Sequence, residues 1–481
     1  MNILFVLLIP FLSALIILLA SFKLSQSLAI LSSAVSVVVI GVMLALFGQD
    51  ITAISSIDLP WIASMGVHFH IGADGMSLLM ILICNVVALI SMYVSLGDQI
   101  HNPKQYFALI LFMQTFMNGV FVAQDLFLYY IFWELALIPA YFLLLIWGKG
   151  EKLRPATIKF FLFTLLGSLL MLIAIVWLGN AGTTSDYSLS AITGLEIDTE
   201  TQLMIFGAFM IAYGIKTPIF PLHSWQADTY TFAPAPVTIL LSAVMSKMAL
   251  YSIIRFVMPV VPEAVSEYGI YFMYAAAFGV LYASIIALTQ KDFKRMLAYV
   301  SMAHVGLIFA GILTYSQAGL SGSMVQMVAH AINSAGLFFI ANLLFKIKNT
   351  NDIQSFGGLR QYMPIFAGLY MVTMFGSIGV PMTNGFIGEF MILTSLYQYD
   401  VILGLLAGSG VILGAVYMLR SYKTIMLGPD NSTVQTDISG TDKYLLYSIA
   451  FVILFTGIFQ AWIGQLCETS IQNILQPYLQ K

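Results

Sequence analysis

Glu134, Lys216, Lys247 and Glu389 stand deep inside apolar stretches of a chain in which only 9% of the 481 residues are charged. A charge at bilayer depth costs at least about 2.5 kcal/mol and persists when it is paired, hydrated or used. Two acids and two bases in such places predict a row of groups that pass a proton or an ion. Glu134, in Tyr129-Tyr130-Ile131-Phe132-Trp133-Glu134-Leu135, has no counter-charge within a turn of its own segment. Its partner must come from another helix, and Lys216 is the natural one. Moving or protonating one member of such a pair changes the proton affinity of the other. A pair that only fixes helix register is the plainer alternative. Lys247, in Ser242-Ala243-Val244-Met245-Ser246-Lys247-Met248, has apolar chain of similar length on both sides, so its stem reaches neither interface. Desolvation of such a lysine brings it toward the range where it exchanges protons.

His304 and His330 also fall in apolar segments. Histidine suits proton relay near neutral pH, and a hydrogen-bonded core role is the alternative. Glu389 follows Asn384-Gly385-Phe386-Ile387-Gly388, where an interrupted helix would admit water, and is expected to end the path or to cap unwound backbone. His223 and Asp228, in Pro221-Leu222-His223-Ser224-Trp225-Gln226-Ala227-Asp228, are expected at an inside mouth, for proton access or for bracing the loop. No metal site is expected, because the two buried histidines lie on different segments without Cys or carboxylate nearby in sequence. His68, His70 and His101 are read as loop residues without a role. Cys84 and Cys467 are the two cysteines, far apart in apolar surroundings, which argues against a disulfide or an iron–sulfur site.

The elements that must position these groups follow from hydropathy. The residues are 60% hydrophobic, with a mean hydropathy of +0.94, and apolar runs long enough to cross a bilayer recur from end to end. Such runs must be helical, since each helix satisfies its own backbone groups. The sequence therefore predicts an all-α polytopic membrane protein of about fourteen transmembrane helices. Their approximate limits are 3–20, 27–47, 76–96, 106–123, 126–147, 157–180, 202–222, 235–258, 269–289, 296–315, 323–345, 364–398, 401–425 and 444–465. Met1 to Ala20 lacks a basic flank and a small-residue cleavage site, and is read as a retained span. A net charge of −3 without a basic tract argues against nucleic acid as a partner.

Loop charge gives orientation. Loops with Lys23, Lys104, Lys149, Lys152, Arg154, Lys159, Lys291, Lys294, Arg295, Lys346, Lys348, Arg360, Arg420, Lys423 and Lys443 fall on one side, fifteen of the nineteen basic residues. The other side receives Arg255 and Lys481 with the acids Asp50, Asp58, Asp186, Glu196, Asp198 and Glu200. This alternation puts both termini on the non-cytoplasmic side.

Helix breakers interrupt two spans: Gly214-Ile215-Lys216-Thr217-Pro218-Ile219-Phe220-Pro221 and Gly379-Val380-Pro381-Met382-Thr383-Asn384-Gly385. Each is the fourth span of a block of five, spans 4–8 and 9–13. An odd block length sends the second block in from the opposite face, so the sequence predicts two inverted repeats with discontinuous spans 7 and 12. The whole chain, 1–481, reads as one membrane domain. It holds a three-helix part (1–97), a first repeat (106–258), a second repeat (269–425) and a final helix (444–465).

These motifs resemble a known family. Phe132-Trp133-Glu134 with Ile138-Pro139-Ala140-Tyr141-Phe142-Leu143 resembles span 5 of the M-type antiporter-like subunits of respiratory complex I. Lys216-Thr217-Pro218 through Pro221-Leu222-His223-Ser224-Trp225, and Lys294-Arg295-Met296-Leu297-Ala298-Tyr299, are similar to its spans 7 and 10. Gly385-Phe386-Ile387-Gly388-Glu389-Phe390 is similar to its span 12. The resemblance implies a proton-translocating subunit of a bacterial NADH:quinone oxidoreductase. Glu134 and Lys216 would be its coupling ion pair, Lys247 the central carrier, and His304 and His330 an axis leading to Glu389. It further implies no cofactor in this chain. FMN, iron–sulfur clusters and quinone would sit in partner subunits, with L-type and N-type subunits on either side, lipid around, and the bacterial inner membrane as location. A multisubunit sodium/proton antiporter subunit or a related membrane-bound hydrogenase subunit is the alternative.

Overall fold

The computed structural model describes residues 2–19, 21–47, 56–96, 100–430, 436–438 and 440–479. Asp50 and Lys481, used above to read sidedness, lie outside the described residues, as do the bounds Met1, Ala20 and Gly97 and the side chain of Lys23. Helices α1 (Phe5–Leu19), α2 (Phe22–Phe47), α3 (Gly75–Val94), α4 (Pro103–Val122), α5 (Leu126–Trp147), α6 (Leu153–Gly179), α7 (Leu189–Thr193), α8 (Thr199–Lys216) and α9 (Gln226–Phe232) come first. A continuous helix, Ala235–Val260, follows. It is α10 (Ala235–Leu240), α11 (Ser246–Ser252) and α12 (Met258–Val260), joined by π turns at Leu241–Met245 and Ile253–Val257. Then come α13 (Pro262–Thr289), α14 (Phe293–Ile312), α15 (Gln317–Lys348), α16 (Pro364–Ser377), α17 (Asn384–Tyr399), α18 (Val401–Leu427), α19 (Gly440–Ile458) and α20 (Ala461–Leu479). Eleven helices among the described residues are long and apolar enough to cross a bilayer, and Phe5–Leu19 and Pro364–Ser377 are shorter apolar ones. Each of the fourteen expected spans coincides with a helix, span 7 with a helix and a break, and span 12 with two helices and the break between them.

Aspartates start many of these helices. Asp74, Asp125, Asp198, Asp292 and Asp400 each accept a hydrogen bond from a first-turn backbone N–H. That satisfies a donor the helix leaves open and sets negative charge at the positive end of its dipole. Two of these caps reveal the internal repeat. Leu126 N donates to Tyr187 O at 2.8 Å and Leu189 N to Gln124 O at 2.9 Å. Phe293 N donates to Asn351 O and Ile353 N to Lys291 O at the same two distances. Asp125 and Asp292 thus hold matching places, bridged to Ser188 and Asp352 respectively. Five crossings separate the two pairings, so they lie on opposite faces.

The breaks also match. After Lys216, Ile219 N reaches back to Gly214 O (3.0 Å); after Ser377, Val380 N reaches back to Phe375 O (3.1 Å). Both closures skip one residue more than an α-helix allows, and the chain then runs irregularly to α9 and α17. Span 7 therefore ends at Lys216 rather than near residue 222, because Pro218 and Pro221 bring no backbone donors.

Three expectations are corrected. The region of His68 and His70 is an antiparallel hairpin, β1 (Ile57–Ile62) with β2 (Val67–Ile71), turned at Gly66 with φ +70°. The last span stops at Ile458, not near 465, and α20 is a separate amphipathic helix. It buries Ile463, Cys467, Ser470, Ile471, Ile474 and Leu475 and exposes Gln465, Glu468, Gln472 and Asn473. Ser470 Oγ donates to Asp74 Oδ2 (2.9 Å) and Tyr478 to Met258 O (2.8 Å), tying α20 to α3 and α12. Finally, Lys294 is no loop charge: it is buried in the first turn of α14 and donates to Ala233 O.

The first four helices enclose a knot of amides. Gln114 Nε2 donates to Asn85 Oδ1 (2.5 Å), Ser33 Oγ to Gln114 Oε1 (2.9 Å), and Asn118 Nδ2 to Val6 O (3.4 Å). Such bonds join helices where apolar burial gives little drive.

Candidate functional site

Lys247 lies in α11, just past the first π turn. Its Nζ donates to Ser242 O (2.7 Å), which also accepts from Ser246 Oγ (2.9 Å). A π turn displaces the regular ladder and leaves a carbonyl open to side chains. Lys247 Nζ also meets His330 Nδ1, and the side chain is 1% exposed. His330, on α15, has its ring centroid 5.5 Å from that of His304 on α14. His304 Nε2 stands 3.3 Å from Glu389 Oε1 on α17, and Gln326 Nε2 donates to the same oxygen at 3.1 Å. Lys247, His330, His304 and Glu389 thus follow one another across four helices, all pointing inward.

Two small cavities flank His304. One, about 10 Å³, touches Ser301, His304, Gln326, His330 and Asn333. The other, about 20 Å³, touches His304, Ser377, Glu389 and Tyr417. Each has the scale needed for roughly one water molecule. Ser301 Oγ, Gln326 Oε1 and Asn333 Oδ1 line the first with no protein partner, the polar wall that a water needs.

The other half is arranged differently. Lys216 ends α8 and is 3% exposed, but it makes no ion pair with Glu134; its Nζ has no hydrogen-bond partner. Instead the ammonium lies over Trp133, 4.6 Å from the ring centroid. Glu134, in α5, is half-buried beside Ser168 of α6, with Oε1 unpartnered. The expected coupling pair is therefore open here, because an aromatic face competes for the cation. Tyr213, one turn before Lys216, connects this region onward. Tyr129 donates to its hydroxyl (3.1 Å) or to Ser252 Oγ (2.8 Å), linking α5, α8 and α11.

His223 and Asp228 do not join the row. Asp228 pairs with Arg295 at 2.8 Å, while His223 packs against Phe220 and Tyr282. Both lie on the linker beyond the first break, where Lys159 donates to Ser224 O. Among the described residues, no three His, Cys, Asp or Glu side chains gather closely enough to hold a metal ion.

Sequence reasoning missed Gln326, Trp133 as the seat of Lys216, and Arg255 with Asp74. Gln326 precedes His330 by four residues, one helical turn, which signals a shared face. Arg255 is part-buried in the second π turn, paired to Asp74 at 2.8 Å and donating to Gln124 Oε1 at 2.8 Å. A lone arginine near a span's end gives no hint of that partner.

Residues 123–414 match the family described as NADH:quinone oxidoreductase/Mrp antiporter, transmembrane. The chain belongs to this family of membrane subunits. Among its relatives in the family, NADH-quinone oxidoreductase subunit M of Rickettsia conorii is 34% identical over 421 residues, 87% of this chain and 85% of the relative. Subunit M of Pseudomonas aeruginosa is 32% identical, covering 86% of this chain and 84% of the relative. A chain of respiratory complex I from Thermus thermophilus superposes with a TM-score of 0.90 at 27% identity, covering 98% of this chain and 99% of that one. A chain of the Mrp complex from Dietzia sp. shares the family fold, with a TM-score of 0.85 at 19% identity over 99% of this chain and 98% of that one.

Proposed function

We propose that this chain is the proton-translocating subunit M of a bacterial NADH:quinone oxidoreductase. One observation carries the reading: Lys247, His330, His304 and Glu389 succeed one another through buried contacts from α11 to α17. A proton reaching Lys247 can pass to His330 and, through the cavity between the imidazoles, to His304 and Glu389. Glu134 and Lys216 set when this happens. With the pair open, Lys216 rests on Trp133; with it closed, Lys216 neutralises Glu134 and its field at Lys247 falls. Moving one charge against 100 mV requires ~2.3 kcal/mol, within reach of one such rearrangement.

In this reading the chain holds no redox group. FMN, iron–sulfur clusters and quinone are held by partner subunits, and L-type and N-type subunits flank it in the bacterial inner membrane. Basic loop residues face the cytoplasm and both termini the periplasm. The family also includes Mrp antiporter subunits, so a sodium/proton antiporter is the second reading. Co-purification of flavin and iron–sulfur proteins with this chain separates the two. For the first, the assembled complex carrying Glu134→Gln is reconstituted in vesicles and driven with NADH. Electron transfer without acidification is expected; normal pumping would remove Glu134 from coupling.

A further inference from the structure

The two helix breaks are capped by donors of different chemistry. In the first, Ile215 O loses its helical partner because Ile219 N turns back to Gly214 O, and Trp225 Nε1 donates to it at 2.9 Å. In the second, Ser377 O would be met by the amide of residue 381, but Pro381 has no N–H. His304 Nε2 fills that place at 2.8 Å. An indole N–H is a permanent donor, whereas an imidazole nitrogen donates only when protonated.

The other nitrogen of His304 is also committed: Nδ1 faces Val300 O at 2.8 Å. Carbonyl oxygens accept and never donate, so the ring satisfies both contacts only with hydrogen on both nitrogens. A neutral ring keeps hydrogen on one nitrogen only: with it on Nε2 the Ser377 contact survives, and with it on Nδ1 a lone pair faces Ser377 O and that contact is lost.

We propose that His304 is a proton-operated clasp that holds α16 to α14 across the second break and releases it when Nε2, the nitrogen beside Glu389, gives up its proton. Its surroundings supply the control. Glu389 of α17, 3.3 Å away, attracts the charged ring. His330 of α15, carrying the contact with Lys247 of α11, adds repulsion when that pair gains a proton. Tyr417 of α18 borders the same cavity and is neutral. A proton arriving at Lys247 and His330 therefore drives the Nε2 proton of His304 to the Glu389 carboxylate, leaves hydrogen on Nδ1, frees Ser377 O and loosens the irregular segment before Glu389. Trp225 keeps the first break shut throughout, so the two repeats differ in which one can open. The sequence of events rests on the proton-pumping reading above; the clasp itself does not.

The test is amide hydrogen exchange over residues 376–383 in the assembled complex in lipid nanodiscs, without NADH. At each pH the rate is divided by that of His304→Gln, whose amide donates at every pH, which cancels the intrinsic pH dependence of exchange. The expected ratio is near unity at acid pH and rises about tenfold with alkalinity, the scale of one charge-assisted hydrogen bond. His304→Ala should exchange fast throughout, and Trp225→Phe should loosen the first break equally at all pH. A ratio flat with pH, or a His304→Ala rate equal to wild type at acid pH, overturns the clasp. Should His304→Gln not assemble, His304→Lys, another permanent donor, replaces it. Loss of pumping in Glu134→Gln is read separately, so failure of one reading leaves the other standing.

Discussion

The Lys216 ammonium sits 4.6 Å from the centre of the Trp133 ring, and the residue next to that ring, Glu134, is the acid expected to bind it. Two seats for one cation thus lie side by side on α5. A cation over an indole gains about 0.5–2 kcal/mol, enough to make an open pair a resting state but not to trap it.

Trp133→Leu should remove one seat. Lys216 then stays with Glu134, and NADH-driven proton pumping should slow several-fold while the complex assembles. Vesicle acidification per NADH oxidised checks this; an unchanged ratio and rate would mean the aromatic seat is incidental.

Gly379 has φ +64°, and a Cβ there would come within 2.3 Å of Glu389 Oε2. Gly379→Ala should therefore displace the carboxylate and cost about 1–2 kcal/mol in backbone strain. Pumping should fall more than assembly, scored by subunit content against proton flux; equal loss of both would indicate a folding defect alone.

His68 of the hairpin gives a pH dependence outside the membrane. Its hydrogen bond to Asp58, 2.6 Å long, raises the imidazole above its usual value of 6.5. A raised folded value means the contact contributes fully below 6.5 and is lost as pH climbs through the higher folded one. Exchange protection of residues 57–71 should therefore decline with rising pH relative to His68→Asn, in which the profile should be level. A decline common to both would exclude the histidine.

Arg255→Met should strand Asp74, the cap of α3 and the anchor of Ser470. The pair keeps about a fifth of each side chain exposed, so the loss should be near the low end for a buried pair, about 2 kcal/mol. Thermal unfolding in detergent measures it, and Arg255→Met with Asp74→Asn should recover part of the loss.

Much of this arrangement could be read from residue order. The breaks were legible because glycine and proline cluster beside Lys216 and before Glu389 in matching spans. Titratable residues in apolar runs pointed to Lys247, His304 and His330. Partner choice was not legible: Lys216 lies over Trp133 rather than on the neighbouring Glu134, a choice that periodicity does not encode. The hairpin was hidden because Ile57–Ile62 is short, carries Pro60 and alternates weakly. α20 was hidden because its apolar stripe continues that of the preceding span, though the exposed residues at 465, 468 and 472 mark a one-sided helix. His304's second contact was beyond sequence, since it depends on Pro381 withholding a donor from a carbonyl on another helix.

The amide knot of Asn85, Gln114 and Asn118 has its own meaning for a machine that moves protons. Carboxamides donate and accept hydrogen bonds but stay uncharged at physiological pH. The first four helices are therefore fastened together at this point by groups that carry no charge, so the fastening itself does not change with pH.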